Sequence, residues 1–118
     1  MGNLWIINAD HPQPRKIRKL AELMDRGGVI AYPTDTVYGF GCDLHNRKAI
    51  DRIRRLKQMD RRHLMSFVCA DLSDIAKYAQ VTDTAYRVLR RLLPGPYTVI
   101  LQATSLVPRV LLPKRRTV

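Results

Sequence analysis

The chain has 118 residues, 46% of them hydrophobic, which is enough for one small domain with one core and is ordinary for a globular protein. Lysine and arginine number 21 against 10 acidic residues, so the net charge of +11 favours anionic partners, although a solvated basic surface gives the same balance. No stretch approaches the ~20 apolar residues of a membrane span, and residues 1–10 carry no secretory signal, so we expect a cytoplasmic protein that does not bind membranes.

The first third of the chain predicts a strand, a helix and a second strand. Residues 4–8 predict the first strand. Apolar side chains then recur at the spacing of one helical face: Ile17, Leu20, Ala21 and Met24. Gly27 and Gly28 end this helix, because glycine is favoured just past a helix C-terminus. Residues 29–32 predict a buried strand, and Pro33 ends it because proline cannot donate to a sheet ladder.

The segment after this strand is rich in hydroxyl groups and glycine. Thr34, Thr36 and Tyr38 follow the strand end, and Gly39 and Gly41 flank an aromatic residue. Hydroxyls both donate and accept hydrogen bonds, and glycine lets the backbone approach a ligand closely. This pattern favours a site for a small polar ligand. It is equally typical of a tight turn between two strands.

The next helix is the most basic part of the chain. Asn46 is its predicted N-cap, and its apolar stripe consists of Ala49, Ile50, Ile53 and Leu56. Residues 47–62 hold eight cations against two acids. The segment therefore suits contact with phosphate groups, or forms a solvated helix face.

The remaining sequence alternates strands and helices. Residues 65–69 and 97–103 predict strands, and two helices between them begin at Asp71 and at Thr82 or Asp83. A short helical turn is predicted around residues 107–111, and residues 114–118 predict the entry to another strand. Cys42 and Cys69 have no metal-ligand spacing and are predicted to be small buried core residues. The alternation predicts an α/β fold with a mixed sheet.

Three motifs give the chain a resemblance to the YrdC-like family, which includes the L-threonylcarbamoyladenylate synthases. They are residues 29–43 (VIAYPTDTVYGFGCD), 53–58 (IRRLKQ) and 94–98 (PGPYT). Residues 65–73 and 107–117 are most similar to the YciO-like branch. The resemblance implies a twisted open mixed sheet with flanking helices, a YrdC-like and DHBP-synthase-like fold with a positively charged concave face. It also implies that residues 1–118 are a single domain and only its N-terminal portion.

The family's chemistry joins L-threonine, bicarbonate and ATP into threonylcarbamoyl-AMP and releases pyrophosphate. That product feeds the threonylcarbamoyladenosine modification of tRNA, so the resemblance implies these three substrates, tRNA or double-stranded RNA, and tRNA-modification proteins as partners. ATP would bring its own Mg²⁺, and no protein-bound metal is expected. A non-catalytic protein of the same fold that binds double-stranded RNA or tRNA is the alternative.

The resemblance also assigns roles to residues. Lys57 would be catalytic by neutralising ATP phosphates, although a solvated helix end gives the same pattern. The threonine pocket would be lined by Thr34, Thr36, Tyr38 and Thr98. The nucleotide would be bordered by Lys57, His63, Ser66 and Cys69. Nucleic acid would contact Arg52, Arg54, Arg55, Arg61 and Arg62. Packing is the alternative role for Tyr38, and core or ladder positions are the alternative for Ser66 and Cys69.

The chain departs from the family pattern in three places. Met59 stands where the family has the arginine of a Lys-x-Arg pair, and methionine cannot contact phosphate as a guanidinium does. His63 stands where the family usually has a lysine. The family's Ser-x-Asn element and a later arginine do not occur within these 118 residues. We therefore expect no turnover from residues 1–118 alone.

Overall fold

The computed structural model describes residues 2–60, 62–112 and 116–118. Within these residues lie four α-helices: α1 (Pro14–Asp25), α2 (Arg47–Leu56), α3 (Leu72–Tyr78) and α4 (Asp83–Leu92). Two strands, β1 (Ile30–Tyr32) and β2 (Gly39–Gly41), lie between α1 and α2, and a 3-10 turn covers Arg109–Leu111. The chain divides into a first unit, residues 1–53, and a second unit, residues 54–118. Each unit is described by itself.

Helix α1 begins and ends as its sequence predicts. Pro14 opens the helix, where its missing N–H would have no intrahelical partner. At the other end, Gly27 adopts a φ of +88°, and its N–H donates to the Met24 carbonyl over 2.9 Å. The Gly28 N–H donates to the Leu23 carbonyl. This pair of bonds satisfies two of the last carbonyls of the helix. The positive φ explains why glycine occupies position 27.

The antiparallel pair β1–β2 confirms the strand predicted at residues 29–32. Its register pairs Ile30 with Gly41 and Tyr32 with Gly39. The Tyr32 ring lies against both glycines, and a Cβ added to Gly41 would stand 3.0 Å from it. Gly41 therefore makes room for the Tyr32 ring inside the hairpin, and this packing accounts for the glycine at position 41.

The strand predicted at residues 4–8 is wrong. These residues form no strand, and the side chains of Leu4 and Ile6 are 92% and 77% exposed. The segment is held instead by Lys16, whose Nζ donates to the Ile6 carbonyl over 2.6 Å, and by Asn8, whose side-chain oxygen accepts from the Asp10 N–H. A strand forms only where a neighbouring strand is available for pairing, and the apolar side chains of residues 4–8 do not provide that neighbour.

Helix α2 starts at its predicted cap and carries the buried side chains of the first unit. The Asn46 side chain accepts the Ala49 N–H over 2.9 Å. Ala49, Ile50 and Ile53 are buried, whereas Leu56, the last residue of the predicted stripe, is exposed.

The turn after α2 contains Gln58, a non-glycine residue with a φ of +53°. The Gln58 N–H reaches the Arg55 carbonyl, and the Met59 N–H reaches the Arg54 carbonyl over 2.8 Å. This is the same bond pattern that ends α1.

Helices α3 and α4 are capped by the residues that the sequence indicates. The Asp71 carboxylate accepts the Asp74 N–H over 2.8 Å, and the Asp74 carboxylate reaches back to the Ala70 N–H. The Thr82 hydroxyl accepts the Ala85 N–H, so Thr82 rather than Asp83 is the N-cap of α4. The buried apolar side chains of the second unit are Ala79, Leu89, Val107 and Leu111.

No regular strand is assigned at residues 97–103, although residues 101–103 pair with two other segments of the chain. Leu101 exchanges two backbone hydrogen bonds with Val118, of 2.9 and 2.8 Å, and Ala103 forms an antiparallel bridge to Ala79. Arg116–Val118 therefore pair as the predicted last strand would, whereas Lys114 and Arg115 lie outside the described residues. All pairings among the described residues are antiparallel.

No strand is assigned at residues 65–69, which contradicts the prediction. Burial nevertheless alternates along the segment, with Met65, Phe67 and Cys69 partly buried and Ser66 and Val68 exposed. Phe67 packs edge-on against Tyr78 of α3, with ring centroids 5.7 Å apart. The apolar pattern therefore marks a packed extended segment without a ladder. Among the described residues, no helix is long and apolar enough to cross a membrane.

Candidate functional site

The loop between β1 and β2 carries the predicted threonine-binding residues of the first unit. The Thr34 hydroxyl donates to the Val37 carbonyl and accepts the Thr36 N–H over 3.2 Å. The two threonine hydroxyl oxygens lie 3.4 Å apart. Tyr38 is 76% exposed, so it does not pack as the alternative interpretation proposed. Thr34 therefore stabilises the loop, while the side chains of Thr36 and Tyr38 are exposed.

The predicted phosphate-binding residues follow α2. Lys57 is exposed directly after the helix, and Met59 is partly buried two residues later. The Asp60 side chain then accepts the N–H groups of Arg62 and His63, over 2.8 and 3.1 Å. This turn holds the backbone of His63, whose side chain is exposed.

Ser66 and Cys69 do not share one face of their segment. They are three residues apart, and the alternating burial groups Cys69 with Phe67 and leaves Ser66 on the exposed side. Thr98 is also exposed in the second unit, two residues after Pro96 and within the segment that leads to Leu101. Among the residues predicted to bind threonine, the structure brings together Thr34 and Thr36, and Tyr38 follows in the same loop.

One of the predicted nucleic-acid contacts is buried. Arg54 is 5% exposed, and its Nη2 donates to the Val110 carbonyl over 2.9 Å. A buried guanidinium cannot contact an external phosphate backbone, so the prediction for Arg54 is corrected to a structural role. The helical period could have shown this, because Arg54 follows the buried Ile50 by one turn. Arg52, Arg55 and Arg62 are exposed as expected, and Arg61 lies outside the described residues.

The two cysteines are partly buried free thiols rather than core residues. Burial, and then the neighbouring Asp43 carboxylate, raise the pKa of Cys42. Burial, and then the carboxylates of Asp74 and Asp71, raise the pKa of Cys69. Both thiols are therefore neutral at physiological pH. Among the described residues, no three histidine, cysteine or acidic side chains come together as metal ligands.

The raised thiol pKa values predict slow alkylation. At neutral pH both cysteines are expected to react with iodoacetamide more slowly than a free thiol, because the thiolate is the nucleophile. Asp43→Asn should lower the pH midpoint of Cys42 alkylation and leave that of Cys69 unchanged, as read by mass spectrometry. Each thiol has a higher pKa in the folded chain than in the unfolded chain. The free energy of unfolding should therefore fall as the pH rises from the ordinary thiol pKa towards the raised one. Equal midpoints for Cys42 in both proteins would contradict the assigned cause.

Sequence reasoning missed two cations, one in α1 and one at its C-cap. Lys19 and Arg26 are seven residues apart, and both are exposed beside Arg52 in the first unit. The seven-residue spacing of these two cations could have indicated that they lie on one side of the chain. Residues 47–62, with their higher density of positive charge, were predicted as the contact instead.

Comparisons with known proteins place the chain in a family. The family model for Sua5, YciO and YrdC proteins, described as "Telomere recombination", matches residues 22–118. The chain therefore belongs to the Sua5/YciO/YrdC family, which confirms the predicted resemblance. It is 40% identical over 116 residues to the uncharacterized protein YciO of Escherichia coli, covering 98% of this chain and 56% of YciO. A threonylcarbamoyl-AMP synthase of Vibrio vulnificus is 30% identical over 105 residues, covering 86% of this chain and 56% of the synthase.

Solved structures confirm the predicted fold class. The crystal structure of E. coli YciO superimposes with a TM-score of 0.90 at 39% identity, over 100% of this chain and 58% of YciO. The structure of P. abyssi Sua5 complexed with L-threonine gives a TM-score of 0.83 at 29% identity, over 92% of this chain and 32% of Sua5. The chain thus spans little more than half the length of the curated relatives that it matches.

Proposed function

We propose that this protein binds L-threonine at the β1–β2 loop and joins it with bicarbonate and ATP to form threonylcarbamoyl-AMP. The observation that carries the proposal is the hydroxyl arrangement of the loop. The Thr34 hydroxyl is hydrogen-bonded within the loop, and the side chains of Thr36 and Tyr38 are exposed. The identity to a threonylcarbamoyl-AMP synthase and the likeness to Sua5 complexed with L-threonine support the choice of amino acid. The product would supply the modification of adenosine in tRNA.

The proposed reaction requires anions to be held together. The amino group of threonine forms a carbon–nitrogen bond to bicarbonate, a carbon–oxygen bond breaks, and water leaves to give a carbamate. A carboxylate oxygen of this carbamate attacks the α-phosphorus of ATP. A new phosphorus–oxygen bond forms, the bond to the β-phosphate oxygen breaks, and pyrophosphate leaves with the electron pair. The protein's contribution is orientation and charge neutralisation. Lys57, exposed after α2, would supply one positive charge, and Mg²⁺ would arrive with ATP.

We assign Ser66, rather than Cys69, to the nucleotide. Ser66 lies on the exposed side of its segment, whereas Cys69 is partly buried on the other side. The Ser66 hydroxyl can donate a hydrogen bond to a base or ribose, or accept one from it.

Binding of L-threonine tests the proposal. Calorimetry on the 118-residue chain is expected to show saturable binding of L-threonine and at least about tenfold weaker binding of L-valine, which lacks the hydroxyl. Thr36→Val should weaken L-threonine binding by about tenfold through one lost hydrogen bond. Binding is the readout because the family's Ser-x-Asn element does not occur within residues 1–118.

Thr84→Val is the matched control, since Thr84 is an exposed threonine in the first turn of α4. It should leave L-threonine binding unchanged. Equal affinity for L-threonine and L-valine, or equal losses in the two variants, would show that the loop does not recognise the threonine hydroxyl.

A further inference from the structure

A single carboxylate, that of Asp35, lies within the β1–β2 loop. Residues 29–42 contain no other charged side chain, and the neighbours of Asp35 in the sequence are Thr34 and Thr36. Asp35 is exposed, as are both threonines. The loop therefore presents one negative charge beside two hydroxyl groups.

Another residue fills the usual structural role of a turn aspartate in this loop. In two other turns of the chain, the carboxylates of Asp43 and Asp60 each accept the backbone N–H two residues later, over 2.9 and 2.8 Å. In the β1–β2 loop the Thr34 hydroxyl accepts the corresponding N–H instead, over 3.2 Å. The same hydroxyl donates to the carbonyl three residues after it. The loop is therefore ordered without help from the Asp35 carboxylate.

The negative charge of Asp35 is available to a ligand. Among the described residues its carboxylate accepts no hydrogen bond and forms no ion pair, although the chain carries 21 lysines and arginines. The Asp74 carboxylate, by contrast, lies 3.4 Å from the Lys77 nitrogen and accepts the Ala70 N–H. An exposed carboxylate without such contacts can pair with a cationic group of a bound molecule.

We propose that Asp35 binds the α-ammonium group of the amino acid substrate, an inference that rests on the proposed function. The hydroxyls of Thr36 and Tyr38 can bond to the hydroxyl of a bound threonine but cannot neutralise its positive charge. Asp35 is the only residue of the segment 29–42 that can do so. A hydrogen bond between two charged groups is stronger than one between neutral groups. Asp35 would therefore distinguish an amino acid from a hydroxy acid of the same shape.

Calorimetry with two ligands tests this assignment on the 118-residue chain. L-Threonine is compared with the dihydroxybutanoate analogue of the same configuration, in which a hydroxyl replaces the ammonium. The wild-type chain should bind L-threonine at least about tenfold more tightly than the analogue. Asp35→Asn removes the charge and keeps the shape, so it should weaken L-threonine binding about tenfold and change analogue binding by less than about threefold. Asp35→Glu keeps the charge and should retain part of the preference.

Asp25→Asn is the matched control, because Asp25 is an exposed acid at the end of α1. It should leave the preference for L-threonine unchanged. A distorted loop would weaken both ligands in parallel, so equal losses for the two ligands in Asp35→Asn would overturn the proposal. An unchanged preference would overturn it as well. If Asp35→Asn weakens binding of Mg²⁺–ATP but not of L-threonine, the carboxylate serves the metal ion and the assignment is wrong.

L-Alanine separates this assignment from the proposed function, because it has the ammonium group of threonine but no hydroxyl. If L-alanine binds as tightly as L-threonine and Asp35→Asn weakens both about tenfold, Asp35 binds the ammonium group but the loop does not select threonine. The assignment then stands and the proposed function fails. If L-threonine binds more tightly than L-alanine and Asp35→Asn changes neither, the proposed function stands and the assignment fails. A chain that binds neither amino acid would overturn both.

Discussion

Replacing Arg54 with alanine is expected to lower the free energy of unfolding by about 3 kcal/mol. The Arg54 side chain is almost fully buried and donates to the Val110 carbonyl within the second unit. Its removal leaves that carbonyl without this donor and opens a cavity along the arginine stem. Urea unfolding followed by circular dichroism measures the change.

Arg55→Ala is the matched control, because Arg55 is the next residue of α2, has the same charge and is exposed. Its effect should stay within about 0.5 kcal/mol. Arg54→Lys keeps the charge but loses the planar fork of donors, so an intermediate loss is expected. If Arg54→Ala leaves stability unchanged and weakens RNA binding instead, the structural role assigned to Arg54 is wrong.

Replacing Met59 with arginine is expected to tighten ATP binding by about tenfold. Met59 lies two residues after the exposed Lys57, where the family pattern has its arginine. A guanidinium there would add charge-assisted hydrogen bonds to phosphate, and about 1.4 kcal/mol of binding free energy corresponds to a tenfold change. Lys57→Ala should weaken ATP binding by a similar factor. Calorimetry with Mg²⁺–ATP measures both.

Two controls separate charge from packing in this pair. Met59→Leu keeps an apolar side chain at the partly buried position and should leave ATP affinity unchanged. Lys48→Ala removes an exposed lysine near the start of α2 and should have little effect. If Met59→Arg and Lys57→Ala both leave ATP affinity unaltered, this segment does not hold the nucleotide phosphates.

The candidate site was predictable where it rests on local chemistry. The hydroxyl spacing of Thr34 and Thr36 indicated an ordered loop, and the structure shows the bonds that order it. The proximity of Lys19 and Arg26 to Arg52 was not predictable in this way. It depends on how closely Gly27 approaches Asn46, a contact between residues that are 19 positions apart in the sequence.

The positions of the helices and of their capping residues follow from local sequence. A cap requires one side-chain oxygen and an N–H three residues later, so Asn46, Asp71 and Thr82 specify helix starts without help from distant residues. The glycine after α1 is likewise a local requirement, because it supplies a positive φ at the turn.

Tertiary contacts, and not local sequence, account for which apolar segments form strands and which charged side chains are exposed. Residues 4–8 and 65–69 have strand-like sequences but lack a ladder, whereas Leu101 pairs with Val118. Arg54 is buried, although Arg52 and Arg55 in the same helix are exposed. Both outcomes have the same physical reason. Strand pairing and burial depend on groups brought from elsewhere in the chain, and local propensity carries no information about those partners.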